Sequence, residues 1–303
     1  MQKNIFDVII IGGSYAGLSA ALTLARALRK VLVLDNGQSC NRMAPFSHNF
    51  LTHDGETPHA IIFKAREDVM KYPNIKVVNS LAKSAVKEKK DFRVTLEDGT
   101  TYSARKLVFA TGITDVMPVN ELQGFTECWG KSILHCPYCH GYEYRERPTL
   151  ILAEGEAAFE YAKILSQWTD DLTILTNGGE QPEGKFAESL NRNGIKTDTR
   201  KINTIKHTDG EVSEILFEDG PASKCGVLYS SPEYRQSCPI PEELGCRISE
   251  KHHIETDESQ RTSVPGVYAA GDCANMIRAI SIACSSGTLA GFTVNKDLIE
   301  EDF

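Results

Sequence analysis

The sequence predicts an α/β protein built from two similar parallel-sheet domains. Two observations carry this. The order strand, turn, helix, strand, hairpin, strand occurs twice along the 303 residues. Each copy also opens on a glycine-bearing turn between its first strand and its helix. Strand–helix alternation of this kind builds right-handed βαβ units and parallel sheets.

The first copy opens with the strand FDVIII and the turn Gly12-Gly13-Ser14-Tyr15-Ala16-Gly17. An alanine-rich helix is expected from Ala16 to Leu28, then the strand VLVLD. The stretch DFRVTLEDGTTYSARKLVFATG reads as a hairpin turning at Asp98-Gly99. The second copy opens with TLILAEG, continues in a helix from Ala157 to Trp168, and follows with the strand DLTILTNG. A Glu-Asp-Gly hairpin at 218–220 leads into the apolar run GVLYSS. The tail beyond 236 lies outside the second copy. It carries VPGVYAAGDC and an apolar stretch, Ala279 to Leu298, expected to form a closing helix.

The first turn suits a dinucleotide. Gly12 permits a tight turn, the next positions let the backbone approach a pyrophosphate, and Gly17 lets helix and strand pack closely. The helix N-terminus offers free N–H groups and a positive dipole end. Ser14 stands where the usual fingerprint has its middle glycine, so the turn alone is weak. Asp35, at the end of the next strand, can accept hydrogen bonds from a ribose, and Gly271-Asp272 supplies a second carboxylate.

Hydrophobic residues make up 41%, charged residues 24%, and the formal net charge is -8. An acidic chain lacks the basic face of a nucleic-acid binder. No run approaches the roughly 20 apolar residues needed to span a bilayer, and the short apolar run Val8 to Ile11 does not read as a secretory signal. The expected location is the cytoplasm.

Nine cysteines, an odd number scattered through the chain, do not make a disulfide scaffold. Only Cys136 and Cys139, in C-P-Y-C-H, are closely spaced. Two cysteines so placed can close a small disulfide ring, one thiolate stabilised locally and the other open to attack. Rival readings are a zinc site, which lacks a second such pair, haem attachment, which C-x-x-C-H also marks, and a pair with no role. The remaining cysteines read as small buried hydrophobes. His140 can act as general acid–base while the dithiol forms and breaks. No metal is expected.

The order of glycine turn, ATG run, C-x-x-C, second βαβ unit and GD run resembles the low-molecular-weight thioredoxin reductases. The segments GGSYAGLSAALTLARA, NRMAPFSHNFLTHDG and CPYCHGYE carry the likeness, which covers nearly the whole chain. The resemblance implies two Rossmann-like dinucleotide-binding domains of the three-layer ββα type, the second inserted in the first. Residues 1–115 and 236–303 would form an FAD domain, and 116–235 an NADPH-type domain carrying the cysteines.

It further implies that Gly12, Gly13, Ser14 and Gly17 meet the FAD pyrophosphate and Asp35 the adenosine ribose. The segment Asn41 to Asp54, with Asn41, Arg42, His48 and Asn49, would wrap the flavin. Thr111 and Gly112 belong to the same cofactor set. Gly271 and Asp272 would reach the ribityl side, and the helix after Ala279 and Ile280 would aim its N-terminus at the isoalloxazine. Cys139 would face the flavin and Cys136 the substrate, a thioredoxin-like protein or a small disulfide or dithiol. A homodimer is implied.

The second turn departs from the pattern. Ala153-Glu154-Gly155-Glu156-Ala157-Ala158 replaces the first glycine and puts two carboxylates near a pyrophosphate. No cation follows the next strand until Lys185, so a 2′-phosphate lacks its partner. These residues argue against NADPH in the usual way. The donor stays open between NADPH and another reductant such as ferredoxin or flavodoxin. Two further readings stay open: an O₂-dependent FAD oxidase of small dithiols, of the gliotoxin or holomycin type, and a non-enzymatic flavin redox sensor.

Overall fold

The computed structural model describes residues 5–118 and 122–303. In chain order the first elements are β1 (Ile5–Ile11), α1 (Tyr15–Arg26), β2 (Val31–Asp35), α2 (Pro58–Met70) and β3 (Ile75–Asn79). Then come β4 (Ala82–Glu88), β5 (Asp91–Leu96), β6 (Thr101–Phe109), β7 (Ile113–Asp115), α3 (Phe125–Cys128), β8 (Ile133–Leu134) and α4 (Pro137–His140). They are followed by β9 (Thr149–Leu152), α5 (Gly155–Leu165), β10 (Leu172–Leu175), α6 (Lys185–Arg192), β11 (Lys196–Asp198), β12 (Ile202–Thr208) and β13 (Glu211–Phe217). The last are β14 (Ser223–Lys224), β15 (Val227–Ser230), β16 (Tyr234–Gln236), α7 (Ile240–Glu243), β17 (Val267–Ala269) and α8 (Ile280–Asp302).

The chain divides into two units. The first comprises Met1–Arg42, Pro58–Thr114 and Tyr234–Phe303, the second Met43–Thr57 and Asp115–Glu233. Residues 43–57, counted above with the first segment, group with the second unit.

The first unit carries a seven-stranded sheet ordered β3-β2-β1-β6-β5-β4, with β17 also on β6. β1 runs parallel to β2 and β6, and β17 runs parallel to the end of β6. The hairpin partners β5 and β6 are antiparallel, turning where Asp98-Gly99 was expected to turn them. Nine-residue β6 thus serves two neighbours on one side, β5 near its start and β17 near its end. Val8 to Ile11 and Val31 to Leu34 are all buried, as parallel strands covered on both faces require. Their core includes Ile9, Leu32, Leu34, Phe92, Leu107 and Phe109.

The second unit has a five-stranded parallel sheet, β11-β10-β9-β15-β8, and a three-stranded antiparallel sheet, β12-β13-β14. The apolar run GVLYSS becomes β15, its four strand residues all buried. Both central helices start earlier than the apolar pattern suggested. α5 begins at Gly155, whose positive φ of 57° turns the chain into the helix. It ends at Leu165, because the N–H groups of Gln167 and Trp168 reach back only three residues and tighten the last turn.

Candidate functional site

In the first unit the three glycines of the turn leave no room for side chains at their positions. A β-carbon on Gly17 would lie 1.8 Å from the Gly12 carbonyl oxygen, and one on Gly12, at φ 109°, 2.1 Å from the Ala110 carbonyl. A β-carbon on Gly13 would meet the Asp35 side chain at 2.6 Å. The backbone is therefore bare where α1 begins. Ser14 is the N-cap without a side-chain cap bond, and no acidic residue stands in the first turn. Such an N-terminus turns the positive end of the helix dipole toward an anion. Asp35 closes β2, accepts the Gly37 N–H at 3.1 Å and has Arg66 at 3.8 Å.

The C-terminal segment is fastened to this turn. Gly271, at φ 76°, abuts Ala16, and its N–H donates to Ser286 Oγ at 3.0 Å. Gly287 and Gly291 let α8 lie directly on α1, since added β-carbons would sit 2.1 Å from the Ala16 carbonyl and 2.8 Å from Thr23. Asp272 lies in the short turn after β17, and Ala279 caps α8 just before Ile280. Thr111 and Gly112 hydrogen-bond around the buried Cys273 thiol, which burial pushes up. Asn41 Nδ2 donates to the Tyr15 hydroxyl at 3.1 Å, while exposed Arg42 turns back to the Ser39 carbonyl.

In the second unit Cys136 and Cys139 are joined as a disulfide, their Cα atoms 5.3 Å apart. Cys136 caps the one-turn helix α4, and Pro137 takes its first position, where a missing N–H costs nothing. Gly141 follows because a side chain there would strike the Pro137 carbonyl and the Trp168 indole. Tyr138, between the cysteines, is 66% exposed and meets Trp168 edge to face at 5.5 Å.

His140 is half-buried. Burial and the neighbouring His48 hold its imidazole below the ordinary histidine range, against the pull of Glu143. The two rings lie 6.1 Å apart at 89°. His48 Nδ1 is 3.6 Å from Asp54 Oδ1 and 3.6 Å from Glu143 Oε1. Asn49, at φ 58°, donates its N–H to Asp54 at 2.8 Å. The structure therefore divides the expected cofactor set. His48 and Asn49 group with the redox pair, and the others group with the glycine turn. Glu143 was visible in CPYCHGYE as a carboxylate three residues after His140. Nothing local marks His48 or Asp54 as their neighbours.

Cys128, Cys225, Cys238, Cys246 and Cys273 are buried. Burial pushes the Cys128 and Cys238 thiols up to about 11, as expected of packing residues and not nucleophiles.

A family model for pyridine nucleotide-disulphide oxidoreductases matches residues 6–287. The chain belongs to that family. Thioredoxin reductase aclD of Aspergillus oryzae is 33% identical to it over 98% of both chains. Thioredoxin reductase tcpT of Claviceps purpurea is 32% identical over 99% of this chain and 96% of its own. A solved oxidoreductase from Agrobacterium tumefaciens superposes with a TM-score of 0.91 at 35% identity, covering 97% of this chain and 98% of that one. The protein is a thioredoxin reductase-like enzyme, an FAD-dependent thiol–disulfide oxidoreductase. The bare glycine turn and the paired Gly271 turn fit that cofactor. No helix among the described residues is long and apolar enough to cross a membrane.

The oxidoreductase's second glycine turn differs from the first. The Gly155 N–H donates to the Glu180 carbonyl at 2.8 Å. Glu154 Oε2 accepts the Glu180 N–H at 3.1 Å and fills the space above Gly179. Glu156 adds a carboxylate in the first turn of α5. The positive end of that helix is thus answered by the chain's own acidic groups. Arg200, the cation after β11, is engaged by Asp198 through its Nη2 at 2.6 Å and stacks on Phe217.

Proposed function

We propose that this oxidoreductase runs in the oxidising direction, closing the dithiol of a small molecule to a disulfide with dioxygen as the final acceptor. The second turn carries the reading, because the chain's own Glu154 and Glu180 occupy its backbone donors where a nicotinamide donor would need them. Tyr138 and Trp168, beside the redox pair, offer a small substrate an aromatic face.

A substrate thiolate attacks the Cys136 sulfur, forming a mixed disulfide and releasing Cys139 as a thiolate. His140, neutral because its proton affinity is low, takes the substrate thiol's proton and returns it to Cys139. The second substrate thiolate then attacks the mixed disulfide, the product ring closes, and Cys136 leaves as a thiolate that takes up the second proton. FAD, when bound, would supply the two-electron acceptor for the protein dithiol, with dioxygen, reduced to hydrogen peroxide, as the final acceptor.

Gly12, Gly13, Ser14 and Gly17 would hold the pyrophosphate, Asp35 the ribose, and Gly271, Asp272 and the N-terminus of α8 at Ala279 and Ile280 the flavin end. Thr111, Gly112, Asn41 and Arg42 are assigned to the same site. The second reading, a protein-disulfide reductase fed by ferredoxin or flavodoxin, is favoured by the relatives named thioredoxin reductases. A cytoplasmic homodimer is also proposed. The exposed apolar residues Ile282, Leu289, Phe292 and Ile299 along α8 support the dimer.

Under argon, a small dithiol should bleach the flavin while NADPH leaves it unchanged. In air, dithiol should drive oxygen uptake that Cys136→Ser abolishes. Rapid bleaching by micromolar NADPH overturns the proposal, and so does uptake that survives the substitution. Bleaching by reduced ferredoxin with no dithiol-driven oxygen uptake selects the second reading.

A further inference from the structure

Within the second unit His48 faces the redox turn. Its ring stands perpendicular to that of His140 at 6.1 Å. Its Nδ1 lies 3.6 Å from both Asp54 and Glu143. These separations exceed a hydrogen bond, so the carboxylates act on it through charge. His140 belongs to the redox helix itself, one residue after Cys139, and the chain turns at Gly141 beside Trp168.

We propose that His48, held by Asp54 and Glu143, is the positioning residue that keeps His140 a neutral base for the Cys136–Cys139 pair. The inference rests on His140 serving as that base. Two carboxylates, Asp54 and Glu143, face His48. His48 in turn opposes a proton on His140, because like charges at this range suppress each other's protonation. Burial of His140 acts in the same direction. The titratable groups facing His140 are His48 and Glu143, and those facing His48 are Asp54, Glu143 and His140.

During exchange, His140 accepts the proton of the attacking thiol while the electron pair stays on sulfur. The proton then passes to the Cys139 thiolate released when the disulfide opens. A His140 already protonated could not begin this step, so the rate falls on the acid side as His140 gains a proton.

The test is the pH profile of dithiol-driven flavin bleaching by the intact holoenzyme under argon, in wild type, His48→Gln, Asp54→Asn and the double variant. Histidine NMR titration of the same proteins is the second readout. Both single variants should move the acid limb, and the His140 titration, to higher pH. The double variant should move them no further than His48→Gln alone. Glu143 is left intact because it also raises the proton affinity of His140 directly. If His48→Gln does not fold, Asp54→Asn carries the same expectation. An unmoved limb and an unmoved His140 titration, with Cys136→Ser inactive, overturn the role of His48 alone. Exchange that persists in Cys136→Ser overturns the underlying chemistry instead.

Discussion

At Gly17 even a methyl group is excluded, because the obstacle 1.8 Å away is the Gly12 carbonyl and not a flexible side chain. Gly17→Ala should therefore cost roughly 1–3 kcal/mol through overpacking and purify with a lowered flavin-to-protein absorbance ratio. Gly112 provides the contrast. It has φ 65° but open space around its missing β-carbon, so Gly112→Ala carries only the left-handed backbone cost of about 1–2 kcal/mol. Thermal melts with flavin spectra would separate the two. An equal loss of flavin in both would show that the close approach at Gly17 is not what shapes the cradle. Gly17 and the cysteine pair could be picked out in the sequence, because each lies only a few residues from its partner, Gly12 or the second cysteine. His48 was also picked out, but for the flavin. Its partners Asp54 and Glu143 come from two separated segments, and no local spacing reports that.

The helices and strands show the same division. α1, β1, β2, β9, β10, β15 and α8 follow from apolar runs and glycine turns. α2, β3 and β4 escaped the reading, since they expose much of their surface and carry no clean apolar run. What fastens α8 was equally hidden. Asp297 accepts from Arg261 Nη2 at 2.6 Å and from the buried Tyr268 hydroxyl at 2.6 Å, tying the helix to β17. Burial opposes ionisation of Asp297, but these two donors override it and hold the carboxyl below the usual range. A carboxyl depressed in the folded state stabilises fully above its unfolded value of about 3.9. That contribution is lost as pH falls through the lower folded value. Asp297→Asn should cost about 1–3 kcal/mol at neutral pH. It should also remove the corresponding part of the acid-side loss of stability seen by urea unfolding from pH 5 downward. Identical acid slopes in the two proteins would refute the assignment.

Across the whole molecule, the disulfide-bonded cysteines lie in one turn. Five of the other cysteines are buried and two are partly so. Alkylation of the native enzyme should gain two rapidly reacting thiols on mild reduction, Cys136 and Cys139, while Cys128 and Cys238 stay unlabelled until the protein unfolds. Rapid labelling of either buried thiol would contradict the packing described.

The sequence by itself determined the repeated α/β plan, the reactive cysteine pair and a weakened second glycine turn. Each is written in contiguous residues whose spacing has direct steric or chemical meaning. Tertiary structure decided two matters. Glu154 turned out not merely to repel a phosphate. It binds the Glu180 backbone, and Glu180 in turn takes the Gly155 N–H, so the turn is closed as well as acidic. Residues 43–57 grouped with the redox unit and brought His48 to His140. Both outcomes depend on which distant groups answer a buried charge or an unpaired N–H, and only the folded chain sets those distances.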